Sequence, residues 1–259
     1  MFRIVRANRA FNQALDLFRA GDLAAAARLF GEVAGEFSAL GVIDGAIQAS
    51  YMRGACLEQR NDHEGAVAAY QAAAQVARQV GDACAEAMCL NGLGSVYLLV
   101  DRARARSCLE AARREAETLS PPDPGLLSTI LGNLAKVAQL DGDWRAAAAG
   151  HERSALLART AGDTAGEVDS LSDAALCLAQ GLRFRTALER ATQAVAAARS
   201  LGEPRVVAVA LGNHAREAQL VGEYATAVAA SAEAVAQARR AGPAALSRAL
   251  AIAADAATC

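Results

Sequence analysis

A six-residue segment returns after 80 residues and so limits the folds that are open to this chain. Residues 131–136 read LGNLAK and residues 211–216 read LGNHAR, so four of the six residues are identical. A weaker copy, LSDAAL, lies midway at residues 171–176. The period is therefore 40 residues, and periods of about 20 to 50 residues are typical of repeat arrays. The sequence predicts stacked structural units rather than one globular core.

Turn residues recur between apolar segments of helical length. Glycine is favoured just after a helix and Asp or Pro at the start of the next one. No segment alternates with the two-residue period of a strand. We therefore expect an all-α solenoid that forms a single domain over residues 1–259, with six helix-turn-helix repeats and a capping or partial seventh repeat. The expected repeats are 3–41, 42–81, 82–120, 121–162, 163–202 and 203–242, followed by 243–259.

Small residues occupy three fixed places when the six repeats are aligned. One place lies in the first helix of each repeat, and two places seven residues apart lie in the second helix. Small side chains let helix backbones approach closely, and larger neighbours fill the remaining space. The three sets are Ala14, Gly54, Gly94, Ala135, Ala175 and Ala215; Ala26, Ala66, Ala105, Ala147, Ala187 and Ala227; and Val33, Ala73, Ala112, Ser154, Ala194 and Ala234.

This register resembles the tetratricopeptide repeat, whose signature is W-x2-L-G-x2-Y followed by A-x3-F. The third repeat carries Leu90-x2-Leu93-Gly94-x2-Tyr97 and then Ala105-x3-Leu109, with Leu in place of Trp. The 40-residue period exceeds the usual 34 and overlaps that of HEAT and armadillo repeats, but the small-residue register favours the tetratricopeptide repeat. The LGNLA segment followed by Gly-Asp-Trp also resembles the longer repeats of kinesin light chains and of bacterial signal-transduction regulators. The resemblance implies a right-handed solenoid that serves as a non-catalytic interaction module.

Composition and charge argue against several functional classes. The net charge is −2, which gives no electrostatic case for a nucleic acid or an anionic membrane as partner. The N-terminal segment 1–6 contains arginines where a signal peptide needs an apolar core, and no apolar run approaches 18 residues. We therefore expect a cytoplasmic protein. The six cysteines contain no C-x-x-C pair and are expected to be small buried thiols.

Catalytic, cofactor and metal motifs are not evident in the sequence. Gly92 and Gly94 could begin a dinucleotide-binding motif, but Tyr97 stands where its third glycine belongs. The three histidines, His63, His151 and His214, lie in different repeats without metal-ligand spacing and are expected to pack in the core. We expect no enzyme activity, no cofactor and no metal.

The candidate binding positions lie on the first helices of repeats four to six. Positions spaced i, i+4, i+7 and i+11 form one stripe along a helix, and in tetratricopeptide arrays such stripes line the concave surface. Asn133 and Asn213 match in place the asparagines that related arrays use to hold a ligand peptide. An amide offers both a donor and an acceptor to an extended backbone. The residues predicted to bind a peptide are Thr129, Asn133, Lys136, Asp169, Asp173, Gln180, Asn213 and Arg216.

Two alternatives remain open at this point. Lys136 and Arg216 could simply pair with Asp169 and Asp173 on the adjacent helix, which would need no ligand. The resemblance to bacterial regulators also allows a sensor domain whose small-molecule or peptide effector controls a transcription regulator. More apolar stripes in the earlier repeats, including Gln48, Met52, Ala55, Gln59, Met88, Gly92, Ser95 and Leu99, could take side chains of the same ligand.

The C-terminal segment suggests self-association. Leu250 falls on the position of Leu211, so residues 243–259 would form the first half of a seventh repeat that lacks its partner helix. Repeat arrays need a polar outer face at their ends. We therefore expect that this end either continues into further sequence or forms a homodimer through the last helix.

Overall fold

The structure is a computed structural model that describes residues 2–98 and 100–242. The chain forms two compact units. Over these residues the protein is an all-α solenoid of helical repeats without strands. Unit 1 ends at Asp123, and its helices are α1 (Phe2–Arg19), α2 (Leu23–Ala39), α3 (Ile43–Gln59), α4 (His63–Val80), α5 (Ala83–Leu98) and α6 (Arg102–Glu117). Unit 2 begins at Pro124, and its helices are α7 (Pro124–Leu140), α8 (Trp144–Ala161), α9 (Thr164–Gln180), α10 (Phe184–Leu201), α11 (Pro204–Leu220) and α12 (Tyr224–Ala241).

Within each unit, every helix packs against the next one along the chain. In addition α3 contacts α5 in unit 1, and α7 contacts α9 and α9 contacts α11 in unit 2. The first helices of repeats two and three, and those of successive repeats in unit 2, thus contact one another as well as their own partner helices. The expected helix at 243–259 lies outside the described residues, as does the dimer that was expected to form through it.

Aspartate side chains cap many of the helix starts, as the turn pattern suggested. Asp143 is an example, because its carboxylate accepts a hydrogen bond from the backbone N–H of Ala146 at 2.9 Å. Such a bond satisfies one of the free N–H groups of the first turn. The same three-residue cap forms at Asp22, Asp62, Asp82, Asp101 and Asp163.

One turn differs from the expected glycine pattern. Gly142 and Gly222 adopt φ angles of 80° and 81° between the helices of their repeats. In repeat five, Gly181 is the glycine between the two helices, but its φ is −81°. Leu182 takes the left-handed conformation instead, with a φ of 60°. A side chain with a Cβ is disfavoured there, and the Leu182 side chain is 77% exposed. The glycine therefore lies one residue before the position that needs it.

All eighteen aligned small-residue positions are buried, which confirms the repeat register. At Gly54 the reason is visible, since a Cβ built there would lie 2.7 Å from Cε1 of Tyr70. A Cβ at Gly92 would lie 2.7 Å from Cζ of the same ring, and one at Gly94 would overlap Leu109. The GLG segment of the third repeat therefore accommodates large side chains from the second helices, which explains its glycines without a nucleotide.

The residue four positions after the aligned alanine of each second helix differs in size and polarity from repeat to repeat. In unit 1 it is Phe30, Tyr70 and then Leu109; in unit 2 it is His151, Ala191 and then Ser231, and all six are buried. Large side chains thus occupy this buried position in unit 1, whereas a histidine and two small residues occupy it in unit 2. His151 is the one residue of this series that can titrate near neutral pH.

An equivalent ion pair joins consecutive repeats in both units. Arg78 on α4 pairs with Glu86 on α5, and Arg159 on α8 pairs with Glu167 on α9, each at 2.6 Å. Both glutamates are buried at 7% exposure. The 81-residue offset is the same for both partners, so this pair belongs to the repeat itself rather than to one local irregularity.

Candidate ligand-binding face

The predicted binding positions lie along three first helices that contact one another in order. We call the twelve positions of this pattern on α7, α9 and α11 the stripe. Eight of the twelve are exposed, namely Thr129, Lys136, Leu140, Asp169, Gln180, Val209, Arg216 and Leu220. Asp173, Leu176 and Asn213 are half-buried, and Asn133 is buried. The stripe therefore presents charged, amide and leucine side chains to solvent on neighbouring helices of unit 2.

The two asparagines of the repeated LGN segment are not equivalent in exposure. Asn133 is only 9% exposed and interacts with other groups of the protein. Asn213 is half-buried, so its side chain is more accessible. The sequence could not distinguish them, because the local segments are nearly identical. A ligand would therefore reach Asn213 more readily than Asn133.

Lys136, Asp169 and Asp173 form a charged group between α7 and α9. Burial raises the pKa of Asp169 and so does the neighbouring carboxylate of Asp173, whereas Lys136 acts to lower it. Burial also raises the pKa of Asp173, again against the opposing effect of Lys136. Two carboxylates thus lie near one lysine. Burial disfavours the ionisation of both, and repulsion from Asp173 adds to this effect at Asp169.

The simple ladder of lysine and arginine to aspartate does not form. Arg216 instead pairs with Glu217 on its own helix, with Nη2 3.0 Å and Nε 3.2 Å from Oε1. Among the ion pairs of residues 2–98 and 100–242, none joins Lys136 to Asp169 or Asp173 within 4.0 Å. Lys136 acts on these carboxylates only at longer range.

Glu217 is the carboxylate that the sequence did not identify beside Arg216. Its side chain is fully buried, and burial raises its pKa while Arg216 opposes that change. Its Oε2 atom has no hydrogen-bond partner among the described residues. The nearest available sequence signal was the adjacency of the two residues, which by itself does not predict a pair, because consecutive helix positions point in different directions.

His151 lies beneath the charged group, which the sequence did not anticipate. It is 1% exposed, and its Nδ1 atom is 4.0 Å from Oδ2 of Asp173. Burial lowers the pKa of His151 to about 4, and the positive charge of Lys136 acts in the same direction. The histidine packs in the core as predicted, but it also contacts the candidate site from below in its neutral form.

A chain of buried hydroxyl groups connects the three helices at this site. Ser128 on α7 donates to the backbone carbonyl of Ser154 on α8 at 2.8 Å, and Ser154 Oγ donates in return to the carbonyl of Ser128 at 2.8 Å. Ser154 Oγ is also 2.9 Å from Ser170 Oγ on α9. These bonds hold α7, α8 and α9 in register under the stripe, and the alignment showed only that position 154 was small.

The apolar stripes predicted for unit 1 are partly occupied by packing. Gly92 is buried against the ring of Tyr70, so it offers no surface to a ligand. Ser95 donates a hydrogen bond to Glu58 Oε1 at 2.6 Å, and Tyr70 donates to Glu58 Oε2 at 2.8 Å. Leu99 lies outside the described residues. Gln48 and Met88 remain exposed on α3 and α5.

The described residues contain neither a cluster of metal ligands nor a helix suited to span a membrane. No group of three or more His, Cys, Asp or Glu side chains in residues 2–98 and 100–242 is arranged to hold a metal ion. None of the helices α1 to α12 combines the length and apolar character that crossing a membrane requires.

Comparison with known proteins identifies similar structures. No protein-family model matches the chain, and no curated protein matches it. The crystal structure of the apo form of RapI has a TM-score of 0.74 at 14% identity, over 96% of this chain and 70% of RapI. A Rap protein complexed with competence and sporulation factor has a TM-score of 0.67 at 8% identity, over 96% of this chain and 74% of the Rap protein.

A kinesin light chain from P. anserina with nearly identical TPR-like repeats has a TM-score of 0.61 at 14% identity. The match covers 74% of this chain and 94% of the kinesin light chain. The kinesin light chain, which belongs to one of the groups that the sequence resembled, thus shares the architecture of this chain. At these identities the likeness concerns the fold, and this chain has the fold of a tetratricopeptide-repeat protein.

Proposed function

We propose that the chain is a non-catalytic interaction module that binds an extended peptide segment along the stripe. The observation that carries this proposal is the exposure of charged, amide and leucine side chains on three first helices, of which α9 contacts both α7 and α11. An extended chain rises about 3.3 Å per residue, and packed helices lie about 8–10 Å apart. A peptide crossing the helices would therefore meet a new one about every third residue.

The charges of the stripe suit a ligand with both polar and positively charged groups. Asp169 and Asp173 together carry two negative charges against the single lysine, and Lys136 forms no direct pair with either within the described residues. A ligand ammonium or guanidinium group would relieve this imbalance. The half-buried amide of Asn213 can both donate and accept, as an extended backbone requires.

Similar structures support an interaction role. One Rap protein of this architecture is complexed with competence and sporulation factor. The fold alone does not specify a ligand, because solenoids of this type present many different side chains on one scaffold. The proposal of a peptide ligand therefore rests on the stripe residues of this chain. The structural similarity supports only the more general point that a protein of this architecture can bind a partner.

The proposal is tested by selecting a binding peptide from a random library against the whole chain and measuring its affinity by fluorescence anisotropy. We expect Asn213→Ala and Asp173→Asn each to weaken binding by about 1–3 kcal/mol, since each leaves a ligand group unmatched. Asn133→Ala is expected to act in the same direction, and Lys136→Ala to change the salt dependence of binding. Asn12→Ala, at an exposed position of α1, is the matched control and should have no effect.

The result that contradicts the proposal is equally specific. If a double variant of Asn213 and Asp173 keeps full affinity for every selected peptide, the peptides bind elsewhere. If the same double variant loses stability and binding in parallel, the stripe serves the fold and the proposal is wrong. Thermal unfolding of each variant separates these outcomes from a genuine loss of contacts.

A further inference from the structure

A cavity of about 280 Å³ lies between α3 and α5 in unit 1, and none of its lining residues belongs to the stripe. Its walls come from the first helices of the second and third repeats, which contact each other. The apolar part is formed mainly by Ile47, Tyr51 and Met88. Pockets for small ligands are concave and mostly apolar with a few polar groups, and this volume is near the lower end of their range. The space fits a small organic molecule.

The walls of this cavity are held in place by contacts behind them. The ring of Tyr51 packs against that of Tyr70, with 5.5 Å between the ring centroids. Tyr70 is in turn fixed by its hydrogen bond to Glu58 at 2.8 Å. Ile47 is buried at 4% exposure, whereas Met88 is 37% exposed at the surface. One wall is thus rigid, while Met88 is a flexible side chain that can adapt to a ligand.

The polar groups of the cavity carry negative charge. Asp44, in the first turn of α3, is exposed, and Asp82 caps the start of α5. None of the residues lining the cavity is basic. The charge of Asp82 acts on side chains that line the cavity. Burial raises the pKa of Cys84 and of Cys89, and the Asp82 carboxylate raises both further. The interior therefore has a negative potential, which favours a positively charged ligand.

We propose that this cavity binds a small organic cation with an apolar body and an ammonium group. The body packs against Tyr51, Ile47 and Met88, and the ammonium lies toward Asp44 and Asp82. An aromatic wall beside the carboxylates adds a favourable contact for a cation. The carboxylate oxygen of Asp82 that caps α5 accepts from the backbone N–H of Ala85 at 2.9 Å, which fixes the orientation of this charge.

The test uses phenethylamine as the probe, with 2-phenylethanol as its neutral counterpart and 3-phenylpropionate as its anionic one. Binding to the full chain is measured by titration calorimetry, and occupancy of the cavity by the rate at which iodoacetamide alkylates Cys84. Cys84 lines the cavity and is half-buried. We expect phenethylamine to bind and to slow alkylation of Cys84, and both analogues to bind more weakly.

The variants Asp44→Asn and Asp82→Asn remove one charge each and should each weaken phenethylamine binding by about fivefold, in the range for a partly exposed charge pair. Asparagine preserves the helix cap at position 82. Asp62→Asn is the matched control, because Asp62 caps α4 in the same way without lining this cavity. Asp44 caps no helix, so its variant remains informative if the change at position 82 disturbs folding.

Three results would overturn the proposal. The first is equal binding of the amine and the anionic analogue. The second is an equal loss of affinity in Asp62→Asn, which would indicate a general charge effect. The third is phenethylamine binding that leaves the alkylation rate of Cys84 unchanged, because the ligand would then occupy another place.

Discussion

Arg159 and Glu167 join α8 to α9 through two hydrogen bonds, with Nε at 2.8 Å and Nη2 at 2.6 Å from Glu167 Oε1. The glutamate is buried and the arginine is largely exposed. We expect Arg159→Ala to lower the free energy of unfolding by about 1–3 kcal/mol, because it leaves a buried carboxylate without its partner. Urea unfolding measures this loss. The control is Arg185→Ala, whose exposed pair with Glu223 at 3.9 Å should contribute less than about 1 kcal/mol. Equal losses in the two variants would contradict the interpretation.

Leu182→Gly is expected to stabilise the protein. Leu182 has a φ of 60° and an exposed side chain, so glycine removes backbone strain without removing a buried contact. The gain in the free energy of unfolding should be about 0.5–1 kcal/mol, after the greater freedom of glycine in the unfolded chain is subtracted. Asn61→Gly provides the comparison, because Asn61 has the same φ of 60° but asparagine tolerates this conformation. A gain at position 61 as large as that at position 182 would mean that strain at Leu182 is not the cause.

Gly54→Ala and Gly35→Ala should change stability in opposite directions. A Cβ at Gly54 would lie 2.7 Å from the Tyr70 ring, and overpacking of this kind costs about 1–3 kcal/mol. Nothing lies within 4 Å of a Cβ at Gly35, which is on the exposed face of α2. Alanine there should stabilise by about 0.5–1 kcal/mol through its helix propensity. Thermal unfolding of both variants measures these changes. The double variant Gly54→Ala, Tyr70→Leu checks the cause, because the smaller leucine should restore part of the stability that Gly54→Ala removes.

His151 predicts a specific dependence of stability on pH. Its pKa in the folded protein is about 4, below the value of 6.5 for an unperturbed histidine. The unfolded state therefore binds a proton between these values that the folded state does not, so stability is fully present above pH 6.5 and is lost as the pH falls toward 4. The difference corresponds to about 3 kcal/mol. The raised pKa values of Asp169 and Asp173 act in the opposite direction at lower pH, because the folded protein then holds protons more tightly.

Replacing the histidine isolates its contribution. His151→Leu places in α8 the residue that Leu109 supplies at the equivalent position of α6. As the pH falls from 6.5 to 4, the free energy of unfolding of His151→Leu should decrease less steeply than that of the wild-type protein. Urea unfolding at a series of pH values measures both profiles. Parallel pH profiles for the two proteins would show that His151 is not the group responsible.

The repeat pattern made the helices and the buried small residues predictable, because helix ends, period and close packing leave direct marks in the sequence. Ala147 and Ala187 could be placed in the core from alignment alone, and both are fully buried. The choice of ion-pair partner could not be predicted. Arg216 has a long side chain, and its contact is with the fully buried carboxylate of Glu217, 3.0 Å from Nη2. The cavity between α3 and α5 has no motif, since it arises from side chains of two helices 40 residues apart.

The fit of Gly54 against Tyr70 limits the order in which substitutions can accumulate at these two sites. A lineage that acquires alanine at position 54 first must pass through an overpacked intermediate, whereas one that first replaces Tyr70 by a smaller residue opens the space beforehand. Alanine and glycine at that position are therefore not neutral alternatives but depend on the residue opposite. An exchange of single helices between repeats would therefore separate Gly54 from the ring that its missing Cβ accommodates.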